Sequence, residues 1–453
     1  MVERSKLLEI NSKILWDRTH YCGEITPELD GKDVVIYGWV HRVRDVGKLI
    51  FTLVRDRTGI IQTLMKKNEL GEDKFNHFKD IKYETAIVVK GVVKANPKAP
   101  KGCEILVSDY SIVNKAATPL PLDVTEAVPA EFDTRFDNRP LDLRKPRINA
   151  IFIVQSNITN SFRTFFNREG FVEVHTPKIV AEATEGGANV FRVKYFERDA
   201  YLAQSPQLYK QLLLLAGFDK VFEIAPVYRA EEHNTPRHLN EYVGIDAEIS
   251  WIKDIEDIMS VLESAVYNAI KTVKENNQKQ LEEIGTTLEL PKFPFQRITY
   301  TKALELLQDE GKEIPFGEDI DTEGERMLGK IMKEKYNADL YFITHYPLEV
   351  RPFYTMPCSD NPELTCSFDL EYKGLEITTG GQRIHDYDLL NEQIVKKGLN
   401  PENFEFYTKF FKYGAPPHGG FGIGLERLTM QILGLQNIRE ASLFPRTRTR
   451  VTP

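Results

Sequence analysis

The sequence has few cysteines, few uninterrupted apolar stretches and no surplus of positive charge. Its four cysteines, Cys22, Cys103, Cys358 and Cys366, are spread over 453 residues, and no two stand at the short spacing of a zinc site. That pattern suggests neither a zinc site nor a disulfide framework and leaves the expectation of buried free thiols in a reducing compartment. No run approaches the roughly 18 apolar residues of a membrane span. The first residues mix Glu3, Arg4, Lys6, Glu9, Lys13 and Asp17 through their apolar positions and lack the core of a signal peptide. A cytoplasmic protein with no membrane partner is expected. With 59 Lys+Arg against 67 Asp+Glu the net charge is −8, which excludes a wholly basic nucleic-acid coat.

What is present is the balance of an ordinary folded chain, 42% hydrophobic and 28% charged, with length for two to four domains. Five strand-like segments, 34–43, 49–55, 60–65, 86–94 and 104–113, are separated by turn residues. They fit a small β-barrel of the OB type, although strand pattern alone also allows a sandwich. Within residues 31–60, six basic residues face three acidic ones, a local charge of +3 in an acidic chain. Basic side chains interleaved with Tyr37, Trp39 and Phe51 suit a single-stranded nucleic-acid platform, in which cations follow phosphates and rings stack on bases. Tyr37 and Trp39 alternate with smaller residues, so at least one should be core; Phe51 is the stacking candidate.

Residues 117–148 contain Pro119, Pro121, Pro129, Pro140 and Pro146 and read as a linker or hinge. Beyond them, 149–167 has apolar residues at helical spacing, 253–275 and 322–336 also read as helices, and a larger mixed domain runs from 149 to 453.

Three segments of this domain carry chemistry. Gly170–Pro177 is a helix exit entering a strand that stops at proline. Tyr228–Tyr242 reads as two strands joined by a polar loop, with Arg229 and Arg237 placed to grip one polyphosphate, or else as a solvated hairpin. His233 and His238, five apart, miss the spacing of a helical metal pair. Gly419–Arg427 has too few glycines for a dinucleotide fingerprint, since Arg427 stands where the third would be. Glycines leading to a helix that presents Arg427 instead suggest close approach of a ligand plane.

Together, Gly-x6-Pro, Arg-x-Glu with a later Arg, and Gly-x-Gly-x-Glu-Arg resemble the three signature motifs of class II aminoacyl-tRNA synthetases. With the barrel in front, the segments Ala203–Lys210, Arg229–Thr235 and Leu443–Arg446 are similar to the archaeal-type aspartyl-tRNA synthetases. The resemblance implies an α+β fold: an antiparallel sheet with flanking helices, preceded by an anticodon-binding OB barrel at 20–116, with 1–19 as an extension. It implies a homodimer with Pro177 at the interface, the substrates L-aspartate and ATP, Mg²⁺, and tRNA rather than DNA as nucleic-acid partner.

By the same resemblance, Arg229 and Arg427 are catalytic: Arg229 meets the α-phosphate and the incoming carboxylate, and Arg427 covers one face of adenine. Glu231 and Tyr242 bind adenine, Arg237 and His238 the outer phosphates, and Leu239, Gly424, Leu425 and Glu426 complete the ATP site. Glu376 and Thr379 hold Mg²⁺, with Thr where many relatives have Ser. The aspartate site takes Glu185, Gln207, Lys210, Arg229, Asp246, Thr379 and Arg383. A pocket holding Lys210 and Arg383 suits an anionic side chain better than a lysine, which would be repelled, or an amide, whose NH2 would meet donors. In the barrel, Phe51 and Gln62 correspond to positions that stack on and read the central anticodon base. His41 and Pro100 match relatives that accept both tRNA(Asp) and tRNA(Asn), so both are expected partners. The rivals are an asparaginyl enzyme, favoured by the closing Arg446-Thr-Arg-Thr-Arg450, and a non-catalytic RNA-binding paralogue.

Overall fold

Alternation of β-branched and apolar residues with polar ones, at the two-residue period of a strand, underlies the barrel and the large sheet of this protein. The computed structural model describes residues 14–181, 189–233 and 235–453. Its contacts divide into two units, Met1–Asn149 and Ala150–Pro453.

The first unit is a closed five-stranded barrel. Its strands are β1 (Asp33–Asp45), β2 (Leu49–Asp56), β3 (Gly59–Lys66), β4 (Ala86–Ala95) and β5 (Cys103–Asn114), in the order β1-β2-β3-β5-β4. Each expected strand is present, longer by one to three residues where the ladder extends into the turns. Ile36, Val40, Ile50, Val54, Ile61, Met65, Val89, Val93 and Ile105 point inward and are almost wholly buried. Tyr37 and Trp39, one of which was expected in the core, both stay partly exposed outside it. Each ring is instead covered by a guanidinium, Arg18 over Tyr37 at 4.6 Å and Arg144 over Trp39 at 4.6 Å.

The stretch expected as a linker contains two short helices, Phe132–Asp137 and Arg139–Asp142. Two of its prolines begin helices: Pro140 lies in the first turn of one, and Pro146 opens the long helix Pro146–Arg168, while Pro119, Pro121 and Pro129 precede the first helix. Asp142 is fully buried and gathers Arg139 at 2.7 Å, Lys145 at 3.0 Å and Arg135 at 3.2 Å. Such a knot of buried charge fixes this stretch in place.

The second unit has the strands β6 (Val172–Glu173), β7 (Ile179–Val180), β8 (Arg192–Tyr195), β9 (Arg198–Leu202), β10 (Lys220–Tyr228), β11 (Glu241–Ser250), β12 (Gln296–Thr299), β13 (Leu340–Thr344), β14 (Ser367–Tyr372), β15 (Glu376–Arg383) and β16 (His418–Gly424). Eight form one mostly antiparallel sheet, ordered β12-β13-β14-β15-β16-β11-β10-β6, and β7, β9 and β8 form a small second sheet. One face of the large sheet buries Phe222, Ile245, Ala247, Phe368, Leu370, Phe421 and Ile423 against the helices Pro146–Arg168 and Ile255–Asn276. Phe166 lies at the centre of this layer, with ring centroids of Phe171, Phe222 and Phe421 between 5.0 and 6.3 Å away. The opposite faces of β11, β15 and β16 carry the polar residues.

Candidate active site

Alternation along β11 places Tyr242, Gly244, Asp246 and Glu248 on the polar face while Ile245, Ala247 and Ile249 enter the core. In β16 the polar face is Gly420, Gly422 and Gly424, which pair with Glu248, Asp246 and Gly244. A Cβ at Gly420 would overlap Ala247 O and Glu248 Oε2, and one at Gly422 would come within 3.0 Å of Asp246 Oδ1. These glycines therefore make room for neighbouring carboxylates, not for the ligand plane expected from the sequence. Gly424 differs, since the nearest atoms its Cβ would meet belong to the Arg427 side chain, at an ordinary 3.7 Å.

The central group consists of four buried charges. Lys210, on the helix Gln207–Leu215, donates to Asp246 Oδ1 and Phe421 O at 3.0 Å and lies 3.2 Å from Glu248. Arg383 donates from Nε to Glu248 Oε1 at 2.8 Å and from Nη2 to Gly420 O at 2.9 Å and Gln207 Oε1 at 3.3 Å. Its Nη1 makes no hydrogen bond among the described residues, so the guanidinium keeps one donor edge for a ligand. Glu248 is fully buried and opposes both cations. Burial works against its charge, but Arg383 and Lys210 hold its carboxyl below the usual range. Asp246 is raised, because burial adds to repulsion from Glu223 and Glu248 and Lys210 alone offsets them. The expected cationic pocket is thus a neutral set of two cations and two carboxylates, and Glu248 is the member that sequence reasoning missed. Its position two residues after Asp246 on a strand was the available signal.

A second group lies along the loop after β10 and the start of the helix Leu425–Leu433. Arg229 lies 5.9 Å from the ring of Tyr242. Arg427 donates to Glu376 O at 3.0 Å and lies 3.6 Å from Glu376 Oε1. Thr379 donates to the same carboxylate oxygen at 3.0 Å. A bulge in the β14–β15 pairing, Leu370↔Thr378 followed by Glu371↔Glu376, lets Glu376 and Thr379 share one face despite their spacing. Burial opposes ionisation of Glu376, but Arg427 and Arg351 hold it below the usual carboxylate range. Arg237 pairs with Glu325 at 2.7 Å, and its Nε is buried without a hydrogen-bond partner among the described residues. Burial, with Arg427 and Arg237 nearby, lowers His238 to about 4, so its ring is neutral near pH 7 and offers a hydrogen bond rather than a charge. Its Nδ1 lies 2.6 Å from Thr235 Oγ1.

The remaining expectations divide by placement. Glu231 is half-buried in the loop after β10. Leu239 and Leu425 have their side chains in the core, which leaves only backbone groups for a ligand. Glu426 is buried and accepts from Val243 N–H at 3.1 and 3.2 Å, with burial pushing it up to about 7. Pro177 is exposed, between exposed Val172 and Ile179. Glu185 lies outside the described residues. Two acids not foreseen stand beside the Glu376 group. Asp369 pairs in register with Thr379 and accepts from Arg351 at 2.7 Å, while its Oδ1 has no partner among the described residues; burial pushes it up to about 6. Glu371 is buried and raised by burial and by Glu325 and Glu376. Among the described residues no group of three or more His, Cys, Asp or Glu is arranged as a metal cage.

In the barrel, Phe51 is partly exposed on β2, and Gln62 on β3 lies diagonally across from it on the same face. Gln62 donates to Glu104 at 2.7 Å, and Asn96 donates to the other oxygen of that carboxylate at 2.9 Å. His41 is not simply solvated: its Nδ1 lies 2.9 Å from Arg55 Nη1, and burial and Arg55 lower its pKa. Pro100 is exposed.

Residues 131–448 match the family of tRNA synthetases class II (D, K and N), and residues 34–120 match the OB-fold nucleic acid binding domain. The Aspartate--tRNA(Asp) ligase of Pyrococcus furiosus is 56% identical over 436 residues, covering 96% of this chain and all of the relative. The Aspartate--tRNA(Asp/Asn) ligase of Methanocaldococcus jannaschii is 52% identical over 442 residues, covering 98% of this chain and all of the relative. Among solved structures, the asparaginyl-tRNA synthetase of Pyrococcus horikoshii complexed with asparaginyl-adenylate superposes with a TM-score of 0.91 at 35% identity, covering 97% of this chain and all of that one. The four-charge pocket and the Arg229, Glu376 and Arg427 group thus stand on a shared scaffold, and the chain belongs to the class II tRNA synthetases of the D, K and N family.

Proposed function

We propose that this chain activates L-aspartate with ATP and ligates it to tRNA(Asp), and also to tRNA(Asn), through an aspartyl-adenylate. The observation that carries the aspartate assignment is the donor edge of Arg383 beside Lys210, both held by Glu248 and Asp246 on one polar sheet face. A guanidinium fork and an ammonium match a carboxylate; an asparagine amide would bring its NH2 against donors at a cost of about 1–3 kcal/mol. The relatives of highest identity reported above favour aspartate, and the solved asparaginyl structure is less similar in sequence.

In the first step an α-carboxylate oxygen of aspartate attacks the α-phosphorus of ATP, and the bond to the β-phosphate breaks to release pyrophosphate. Such chemistry needs alignment and charge neutralisation more than a base. Arg229 holds the α-phosphate and the incoming carboxylate, Tyr242 and Arg427 flank adenine, and Glu231 takes its amino group. Arg237, whose Nε has no partner among the described residues, and neutral His238 serve the outer phosphates. Glu376 and Thr379, with Asp369 beside them, fit a Mg²⁺ ion held by one or two protein oxygens together with substrate phosphates rather than by a dedicated cage. When bound, the ion neutralises phosphate charge. In the second step a terminal ribose hydroxyl of the tRNA attacks the aspartyl carbonyl and AMP leaves.

The barrel, residues 20–116, reads the anticodon with Phe51 and Gln62, and His41 and Pro100 support acceptance of tRNA(Asn). Exposed Val172, Pro177 and Ile179 support a homodimer through this segment. Lys210→Leu tests the pocket: aspartate-dependent pyrophosphate exchange should lose aspartate affinity far more than ATP affinity, and an unchanged aspartate constant would overturn the assignment. Charging both purified tRNA transcripts with aspartate and asparagine supplied separately tests specificity, and an uncharged tRNA(Asn) would remove that part of the reading.

A further inference from the structure

The two cysteines of the second unit, remote in sequence character from any metal or catalytic pattern, meet in space. Cys358 and Cys366 stand on the two arms of a tight hairpin, in which Pro357 pairs with Thr365. Cys358 N–H donates to Leu364 O at 2.9 Å and Cys366 N–H to Met356 O at 2.9 Å, so the two cysteines flank the Pro357–Thr365 pair on one face. Their sulfurs are 3.2 Å apart. Closing a disulfide to about 2.05 Å requires the sulfurs to approach by about one ångström. Cys358 is buried, whereas Cys366 is partly exposed and open to a reagent. That difference in exposure divides the roles, Cys366 as the attacking and Cys358 as the resolving sulfur.

We propose that Cys358 and Cys366 form a reversible dithiol–disulfide site that exchanges with small-molecule disulfides. The Cys366 thiolate attacks one sulfur of the reagent RSSR, forming a mixed disulfide and releasing one thiolate. Cys358 then gives up its proton and attacks Cys366 Sγ, displacing the second thiolate. Overall, two protein thiols and RSSR become one protein disulfide and two RSH, so the protein is oxidised by two electrons and the reagent reduced by two. The bond closes a nine-residue loop beside β15: Gln382 N–H donates to Cys366 O at 2.9 Å, Met356 N–H donates to Gln382 O at 3.0 Å, and Arg383 follows Gln382. Oxidation therefore fastens the hairpin that abuts the Arg383 end of that strand.

The test uses the intact chain, oxidised glutathione, acid quenching, alkylation and peptide mapping. Reactive thiols in the unfolded, quenched protein should fall from the four of the sequence to two, with a linked fragment joining Cys358 to Cys366. The melting temperature of the oxidised protein should exceed that of the reduced protein by roughly 5 °C. Cys358→Ser should accumulate a lasting glutathione adduct on Cys366, because the resolving sulfur is gone. Four retained thiols, a stable glutathione adduct on the wild-type chain, or a linkage between other cysteines would overturn the proposal.

Discussion

Replacing Glu248 by Gln tests the neutral four-charge pocket most directly. Glu248 is fully buried, 2.8 Å from Arg383 Nε and 3.2 Å from Lys210 Nζ. The substitution keeps the shape but leaves two buried cations facing one carboxylate, Asp246, and turns amide hydrogens toward one of them. Breaking a buried pair in this way costs about 3–5 kcal/mol. At about 2–3 °C per kcal/mol for a unit of this size, the catalytic unit should melt about 6–15 °C lower. Scanning calorimetry or circular dichroism on the purified variant measures this. Adding Lys210→Met to Glu248→Gln removes the surplus cation, so the double variant should recover part of the loss and the two effects should not add. A Glu248→Gln protein melting within 2 °C of wild type, or strictly additive losses, would refute the charge bookkeeping.

Four further outcomes are expected. Glu426, raised to about 7, is stabilising when protonated; this contribution is complete below the unfolded value near 4.5 and is lost as pH rises through 7. Glu426→Gln should therefore raise the melting temperature relative to wild type at pH 8.5, by at most about 3 kcal/mol of stability, and change little at pH 5. His418 has the opposite sign: fully buried and lowered to about 4, it destabilises the fold as pH falls from 6.5 toward 4, and NMR should show its ring neutral at pH 6. Phe51→Ala should leave melting almost unchanged, since the ring lies outside the barrel core, while weakening tRNA binding by about 1–3 kcal/mol in a filter-binding assay and sparing pyrophosphate exchange. Phe166→Ala should cost about 3–5 kcal/mol in denaturant unfolding of the second unit.

Much of the barrel was legible in the sequence because each strand is bounded by turn residues and alternates cleanly. The helices 253–275 and 322–336 were legible from the helical spacing of their apolar residues, and are observed as Ile255–Asn276 and Thr322–Tyr336. The site was partly legible. Lys210 with its partner Asp246, and Arg427 with Glu376, could be named, but Glu248, Asp369 and Glu325 could not, because they act through pairing between strands and helices far apart in the chain. The glycines of β16 were read as room for a ligand. Only the register of β11 against β16 shows that Asp246 and Glu248 take that room at Gly422 and Gly420. Pro140 and Pro146 read as part of a linker because composition does not distinguish a proline that starts a helix from one that ends it.

β16 is the last strand among the described residues, yet it lies between β15 and β11 near the middle of the large sheet. During synthesis, β11 and β15 each wait with an open hydrogen-bonding edge until His418–Gly424 has left the ribosome, and only insertion of that strand joins the two halves of the sheet. Until then Lys210 lacks its Phe421 carbonyl and Arg383 its Gly420 carbonyl. A nascent chain therefore has no assembled four-charge group, and loss of a C-terminal piece reaching β16 would remove the centre of the catalytic sheet rather than its end.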